Sequence, residues 1–187
     1  MMKRSLALGA LMAFVITGSA MAADESYGST MLDKDVTVTG GNLTYTADKS
    51  GIEGGNIGYA LGVVDGGSHT ITLDAGKTLF VKNFLEGTDR NYGIVTSNIG
   101  IFIVNSFVDV EVNAKDSTQA RAIRVVGDIS GNDKVTFNDN VQVKVDSKGN
   151  GTNNVVAAGV EAWQNSNITF NGDSTVIEEK GDKVYAH

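Results

Sequence analysis

Apolar and polar residues alternate along most of the chain, in short runs separated by glycine, asparagine and aspartate. Five runs align without gaps, and each opens with two apolar residues on either side of a single intervening residue. They start at Leu43, Ile71, Phe102, Val135 and Ile168, so the spacings are 28, 31, 33 and 33 residues. Alternation with a period of two predicts strands, and the polar residues between the runs predict turns. We therefore expect a repeat that contains strand, turn and strand.

A second signal recurs between these runs, a small residue followed by an aliphatic one, and it predicts a third strand in each repeat. Its members are Ala60-Leu61, Gly93-Ile94, Ala122-Ile123 and Gly159-Val160, with Ala186 near the end of the chain. Three short strands per repeat without helical periodicity are typical of a solenoid. We predict an all-β fold, a right-handed parallel β-helix of about five coils with three short strands per coil. The alternative is an antiparallel β-sandwich, which does not require a fixed repeat.

Stacked coils should place equivalent side chains in ladders about 4.8 Å apart. The first inward ladder is predicted to be Leu43, Ile71, Phe102, Val135 and Ile168. The second is Tyr45, Leu73, Val104, Phe137 and Phe170, and the third is Leu79, Val110, Val143 and Val176. The outward ladder between the first two is Thr44, Thr72, Ile103, Thr136 and Thr169. We also expect a corner stack of Asn105, Asn138 and Asn171, and an exposed ion pair between Glu111 and Lys144.

The amino terminus has the organisation of an export signal. Lys3 and Arg4 precede an apolar run over 6–16, and Ala20-Met21-Ala22 is a small-x-small cleavage pattern. We predict a signal peptide over 1–22 with cleavage after Ala22, a lead-in or cap over 23–35, and β-helix repeats over 36–187 that are truncated at the carboxy-terminal end. The apolar run is shorter than a membrane span, which needs about 20 residues.

Composition narrows the classes of function. Glycine is abundant at 23 residues, and the sequence has no proline and no cysteine, so disulfides and cysteine-ligated metals are excluded. Removal of the signal leaves 13 basic and 22 acidic residues, a net charge of -9. An acidic surface of this kind repels nucleic acid.

The sequence predicts no catalytic, cofactor-binding or metal-binding residues, and it implies no cofactor. The two histidines, His69 and His187, are far apart and lack the spacing of metal ligands. Ser68, beside His69 and near Asp65 and Asp74, has residue types of a hydrolase triad, but the segment lacks a nucleophile elbow and is interpreted as a turn.

One group of charged residues is a candidate for a substrate groove. Asp109, Glu111, Arg121 and Arg124 are the concentration of both signs that could line such a groove. Their alternation with apolar residues also fits solvated outward positions, and this is the interpretation that we favour.

A family resemblance rests on two features of the sequence. One is a tyrosine followed by a small residue, at Tyr59-Ala60, Tyr92-Gly93 and Tyr185-Ala186, and the other is strands of the form ITFNGD, which begins at Ile168. After the signal, the chain resembles the passenger region of bacterial autotransporters, adhesin-like surface proteins with a pectin-lyase-like β-helix. The resemblance implies a carboxy-terminal β-barrel that anchors the passenger in the outer membrane. We expect such a barrel to be missing from this chain, which would make the chain a fragment of a longer reading frame.

Two classes of function remain open. The first is an exported, non-catalytic surface scaffold that mediates adhesion or self-association, with host or bacterial surface glycans or proteins as partners and no nucleic acid. The second is a polysaccharide lyase or hydrolase that acts on acidic glycans, because such enzymes use the same fold. Export through the Sec pathway would place this chain alone in the periplasm, and a full-length autotransporter would place it at the cell surface or outer membrane, or secrete it.

Overall fold

The computed structural model describes residues 23–53, 56–63, 66–97, 100–127, 133–148, 156–181 and 183–184. The predicted signal peptide and its cleavage point after Ala22 lie outside the described residues. Within the described part of the chain, no helix has the length and apolar character needed to cross a bilayer.

The described strands, numbered β1 to β18 along the chain, form three sheets. Sheet A has the spatial order β1 (Glu25–Tyr27), β4 (Leu43–Thr46), β8 (Thr78–Asn83), β11 (Phe107–Lys115), β14 (Val141–Lys148) and β17 (Thr175–Lys180). Sheet B has the order β2 (Thr30–Met31), β6 (Ile57–Val63), β9 (Arg90–Ser97), β12 (Gln119–Val126), β15 (Val156–Trp163) and β18 (Lys183–Val184), with β5 (Ile52–Glu53) beside β6. Sheet C has the order β3 (Val36–Val38), β7 (Ser68–Leu73), β10 (Ile101–Asn105), β13 (Lys134–Phe137) and β16 (Asn167–Phe170). A short 3-10 helix, Lys49–Gly51, precedes β5.

From β3 onward the chain visits sheet C, then sheet A, then sheet B, and repeats this order through the described strands. Neighbouring strands within each sheet pair in parallel, and the antiparallel exception among the described pairs is the short β5–β6 contact. Parallel strands need a crossover between them, and here the strands of the other two sheets supply it. The fold is therefore a parallel β-solenoid with three strands per coil, as predicted, and the antiparallel β-sandwich is wrong.

The core lies between the three sheets, and alternate residues of each strand point into it. In β11, for example, Val108, Val110, Val112 and Ala114 are fully buried while the residues between them are partly exposed. The largest fully buried side chains come from all three sheets: Phe102, Phe137, Leu43, Leu61, Ile71, Leu79, Ile94 and Ile123. This burial of apolar surface is the main force that holds the coils together.

The predicted inward ladders of sheet C are correct in the later coils and wrong in the first two. Phe102 pairs with Val135 and Val135 with Ile168, as expected. Ile71, however, is two residues out of register, because it pairs with Val104 while His69 pairs with Phe102. Thr70, and not Thr72, accordingly lies beside Ile103 in the outward ladder.

Leu43, Thr44 and Tyr45 lie in sheet A, where Leu43 pairs with Leu79, and not in sheet C. The first strand of sheet C is instead β3, whose Val36 pairs with Ile71. The error has a physical cause. Strands of both sheets begin with the same apolar-x-apolar triplet, so periodicity alone does not distinguish them.

The third predicted ladder holds at Val110 and Val143, which pair, but fails at both ends. Leu79 pairs with Val108, and Val176 pairs with the outward Gln142 and is 48% exposed. The corner before β17 contains one residue more than the corner before β14, since four residues separate Phe170 from Thr175 and three separate Phe137 from Val141. A shift of one residue moves every side chain of a strand to the opposite face.

The segment expected as a lead-in over 23–35 contains strands of the solenoid. β1 pairs with β4, placing Glu25 beside Leu43, and β2 pairs with β6, placing Thr30 beside Leu61. The segment is thus an ordered first layer that covers β4 and β6. The sequence pattern did not predict these strands, because the segment is polar and each strand has just two or three residues.

The third-strand signal is confirmed in sheet B. Leu61, Ile94, Ile123 and Val160 form one ladder. The preceding position is small because sheet A packs directly against it: a β-carbon on Gly93 would collide with Val110, and one on Gly159 would collide with Ile177. The last member of the signal, Ala186, lies outside the described residues.

Candidate functional site

The outer face of sheet B carries a groove that runs across the strands, from β2 to β15. Five strands at about 4.8 Å per step give it a length of about 19 Å. One end is a mainly apolar hollow of ≈ 350 Å³, whose lining includes Met31, Ile57, Tyr59, Tyr92, Val95 and Val126. The other end is a polar hollow of ≈ 270 Å³, lined by Arg90, Gln119, Arg121, Arg124, Glu161 and Trp163. Arg90, Arg124 and Trp163 line both hollows, which therefore form one surface, here called the sheet B groove.

Outward ladders position these side chains. The first ladder consists of Tyr59, Tyr92 and Arg121, which lie side by side in β6, β9 and β12. The second ladder lies three residues further along each strand and consists of Val95, Arg124 and Glu161, in β9, β12 and β15. In β12, the two residues between these ladders, Ala122 and Ile123, are both buried in the core. Arg121 and Arg124 on either side of them therefore both point into the groove, although they are three residues apart.

Two arginines share one carboxylate at the centre of the polar hollow. Nε of Arg121 lies 2.7 Å from Oε2 of Glu161, and Nε of Arg124 lies 3.0 Å from the same oxygen. The Nε–H groups are not aligned with that oxygen, so these contacts are ion pairs and not hydrogen bonds. The Arg121 side chain is 9% exposed, which makes this a largely buried cluster of two positive charges and one negative charge.

Further contacts hold both guanidinium groups in place. Nη1 of Arg124 donates to the hydroxyl of Tyr92, and Nη1 of Arg121 donates to Oε1 of Gln119. The guanidinium of Arg124 also lies 5.3 Å from the ring centre of Tyr92 and 5.1 Å from that of Trp163. Cation–π contacts at such distances stabilise a guanidinium without neutralising its charge. Trp163 is 51% exposed, and Tyr92 is buried.

The structure separates the four charged candidates for a substrate groove. Arg121 and Arg124 lie together in the sheet B groove, but Asp109 and Glu111 lie on the outer face of sheet A. Glu111 pairs with Lys144 across adjacent coils at 3.6 Å, which confirms the predicted ion pair. Burial, and then repulsion by Glu111, raises the pKa of Asp109 above its ordinary value of 3.8.

Among the described residues, the remaining candidates, Ser68, His69 and Asp74, do not assemble into a site. His69 is buried and points inward from β7, whereas Ser68 is exposed and points outward, because successive residues of a strand face opposite sides. Asp74 accepts a hydrogen bond from the backbone N–H of Gly40, at 2.7 Å, and so holds a turn of the neighbouring coil. Asp65 and His187 lie outside the described residues.

Glu161 and Trp163 are members of the site that sequence reasoning missed, as are Arg90, Tyr92 and Gln119. The small-aliphatic signal contained the information needed to find the first two: alignment of the four segments on Ile94, Ile123 and their equivalents places Glu161 in the column of Arg124. The same alignment places Trp163 in the column of Val126.

Within the described residues, no group of three or more acidic or histidine side chains could hold a metal ion. Comparison of the chain with family models, curated proteins and solved structures finds no match.

Proposed function

We propose that the chain is an exported, non-catalytic surface scaffold, part of an autotransporter-type adhesin passenger that mediates adhesion or self-association. The observation that carries this proposal is the construction of the sheet B groove. Its arginines are held by a carboxylate, a tyrosine hydroxyl and two aromatic rings, which is an arrangement for recognition.

The separation of the charged residues argues for binding over turnover. A lyase or hydrolase needs its acid, base and charge-neutralising groups around the same bond of the substrate. Asp109 and Glu111 extend from sheet A, so they do not reach a sugar bound beside Arg121 and Arg124 on sheet B. Glu161 is within reach, but it serves as the counter-ion of both arginines.

Export and surface display rest on the sequence. The tripartite pattern over 1–22 supports passage through the Sec pathway, and the passenger resemblance supports a position at the cell surface. A regular solenoid projects its outer faces over a long distance, which suits contact with host or bacterial surface glycans or proteins, or with another copy of the chain.

The second candidate, a β-helix lyase or hydrolase for acidic glycans, is favoured by one observation, the pairing of two arginines with a carboxylate in an open groove. An assay separates the two functions. Residues 23–187 are incubated with uronate polymers, with and without calcium, and unsaturated products and new reducing ends are followed. We expect no product. Steady product formation that disappears in the double variant Arg121→Ala, Arg124→Ala would contradict the scaffold.

A second assay tests the scaffold directly. Beads coated with residues 23–187 should attach to cell surfaces or to one another, whereas beads coated with an unrelated acidic protein should not. If the coated beads attach to nothing and the chain shows no self-association in sedimentation, the proposed function is wrong.

A further inference from the structure

We infer that the sheet B groove binds a carboxylated pyranose, the acidic sugar unit of a glycan, with its carboxylate on Arg121 and Arg124 and its ring on Trp163. The inference rests on the proposed function, because it names the ligand class of the surface on which the scaffold is proposed to bind.

The charge of the polar hollow calls for an anion. Arg121 and Arg124 share the single carboxylate of Glu161, which leaves one positive charge in a largely buried cluster, and Arg90 adds a second at the exposed rim. Burial of a charge is costly unless a partner compensates it. The whole chain carries a net charge of -7, so this cationic hollow contrasts with the rest of the molecule.

The donors suit a carboxylate in particular. A guanidinium presents its N–H groups as a planar fork that matches the two oxygens of a carboxylate. Arg124 is already held between Tyr92 and Trp163, and its Nη1 is placed by the tyrosine hydroxyl. Little side-chain entropy is therefore lost on binding, and this lowers the cost of capturing a small ligand.

Trp163 supplies a surface for the sugar ring. Its indole is half-exposed and lines both hollows, with Arg124 on one side. One face of a pyranose carries several C–H groups, which pack on the negative face of an aromatic ring. The apolar hollow beside it, with Ile57, Val95 and Val126, continues the groove for a neighbouring sugar unit.

The geometry favours a glycan over an acidic peptide. Extended peptides commonly bind by adding a strand to a free sheet edge. The groove instead crosses β6, β9 and β12, each of which is paired with a strand on either side. A ligand that lies across these three strands therefore meets side chains and no unpaired backbone.

Trp163 is the single tryptophan of the sequence, so its fluorescence reports on this groove alone. Residues 23–187 are titrated with trigalacturonate and with sialyllactose, which represent uronate polymers and sialylated glycans, and with galactotriose and lactose as neutral controls. We expect a saturable change with one or both acidic sugars, which identifies the source, and at least about tenfold weaker binding of the neutral sugars. Binding should weaken as salt is added.

Variants test the residues. Arg124→Gln should weaken the acidic sugar by about tenfold or more, while Lys144→Gln, which removes the same charge from sheet A, should leave binding unchanged. Trp163→Ala, measured by calorimetry, should also weaken binding, with Phe84→Ala as the matched loss of an exposed aromatic ring. If Arg124→Gln fails to fold, Trp163→Ala tests the sugar site instead, because the half-exposed indole can be removed without disturbing the core.

Several results would overturn the inference: equal binding of neutral and acidic sugars, equal or tighter binding of an oligo-aspartate peptide, no binding by fluorescence or calorimetry, or full binding by a folded Arg124→Gln. These results do not contradict the proposed scaffold function, provided that coated beads still attach and no product forms. Product formation contradicts the scaffold whether or not Trp163 senses the sugar.

Discussion

At the corner between sheets C and A, one type of side chain joins successive coils. Asn171 donates to Asn138, Asn138 donates to Asn105, and Asn105 donates to Thr72, with distances of 2.8, 2.7 and 3.1 Å. The ladder confirms the predicted asparagine stack and extends it by one threonine. Asn105 and Asn138 each use both the donor and the acceptor of the amide, so the middle asparagine, Asn138, takes part in two hydrogen bonds.

Replacement of this middle residue should therefore cost more than replacement of an exposed asparagine elsewhere in sheet C. We expect Asn138→Ala to lower the free energy of unfolding by about 1–3 kcal/mol, from two hydrogen bonds at about 0.5–1.5 kcal/mol each. Asn167→Ala, at an exposed position of β16, is the control. Urea denaturation of both variants measures the difference, and equal midpoints would show that the ladder adds no stability.

Asp109 makes stability depend on pH. Burial raises its pKa, so the folded state holds the proton more tightly than the unfolded state. Its ionisation therefore destabilises the fold at pH values above the raised pKa, and this penalty disappears below the ordinary value of 3.8. The neighbouring charges are Glu111, which raises the pKa further, and Lys82 and Lys144, which oppose the shift.

The urea midpoints of Asp109→Asn and of the wild type are compared at each pH. We expect the midpoint of the variant to be higher than that of the wild type at neutral pH and equal to it near pH 3. Asp173→Asn, at an exposed turn, removes the same charge as a control. A lower midpoint of Asp109→Asn at neutral pH would contradict the cause assigned to the shift.

At the level of strands, the hydrophobic pattern predicted the existence and the number of strands per coil, but not always their register. The pattern was sufficient where the corners have equal lengths, as for Phe102, Val135 and Ile168. It failed for Val176, where the corner gains a residue, and for Leu43, where sheets A and C share the same triplet. Register depends on which coil lies beside a strand, and a strand's own sequence does not contain this information.

The inward ladders make a clear prediction about stability. Phe137 is fully buried, and its ring stacks on Phe170 with centres 5.4 Å apart. We expect Phe137→Ala to destabilise the fold by about 3–5 kcal/mol, because it removes a buried ring and leaves a cavity. Phe84→Ala, which removes a ring that is 46% exposed, should change stability by less than about 0.5 kcal/mol. Thermal or urea unfolding measures both, and similar losses would contradict the assigned core.

At the level of the whole molecule, each of the three sheets presents a different set of side chains to the outside. Sheet A presents ion pairs such as Glu111 with Lys144, sheet C presents threonines, and sheet B presents the arginine and aromatic groove. The sequence showed Arg121 and Arg124 as a concentration of charge. It did not show that Glu161 neutralises one of them or that Asp109 lies on another face, because both facts depend on how the coils stack.

We propose that sheet B is the binding face of a non-catalytic scaffold. A crystal structure of residues 23–187 with an acidic oligosaccharide, trigalacturonate or sialyllactose, tests this role. We expect an intact sugar with its carboxylate about 2.7–2.9 Å from the guanidinium nitrogens of Arg121 or Arg124 and its ring on Trp163. A sugar bound on sheet A or sheet C, or a cleaved sugar in the sheet B groove, would contradict a non-catalytic binding role for sheet B.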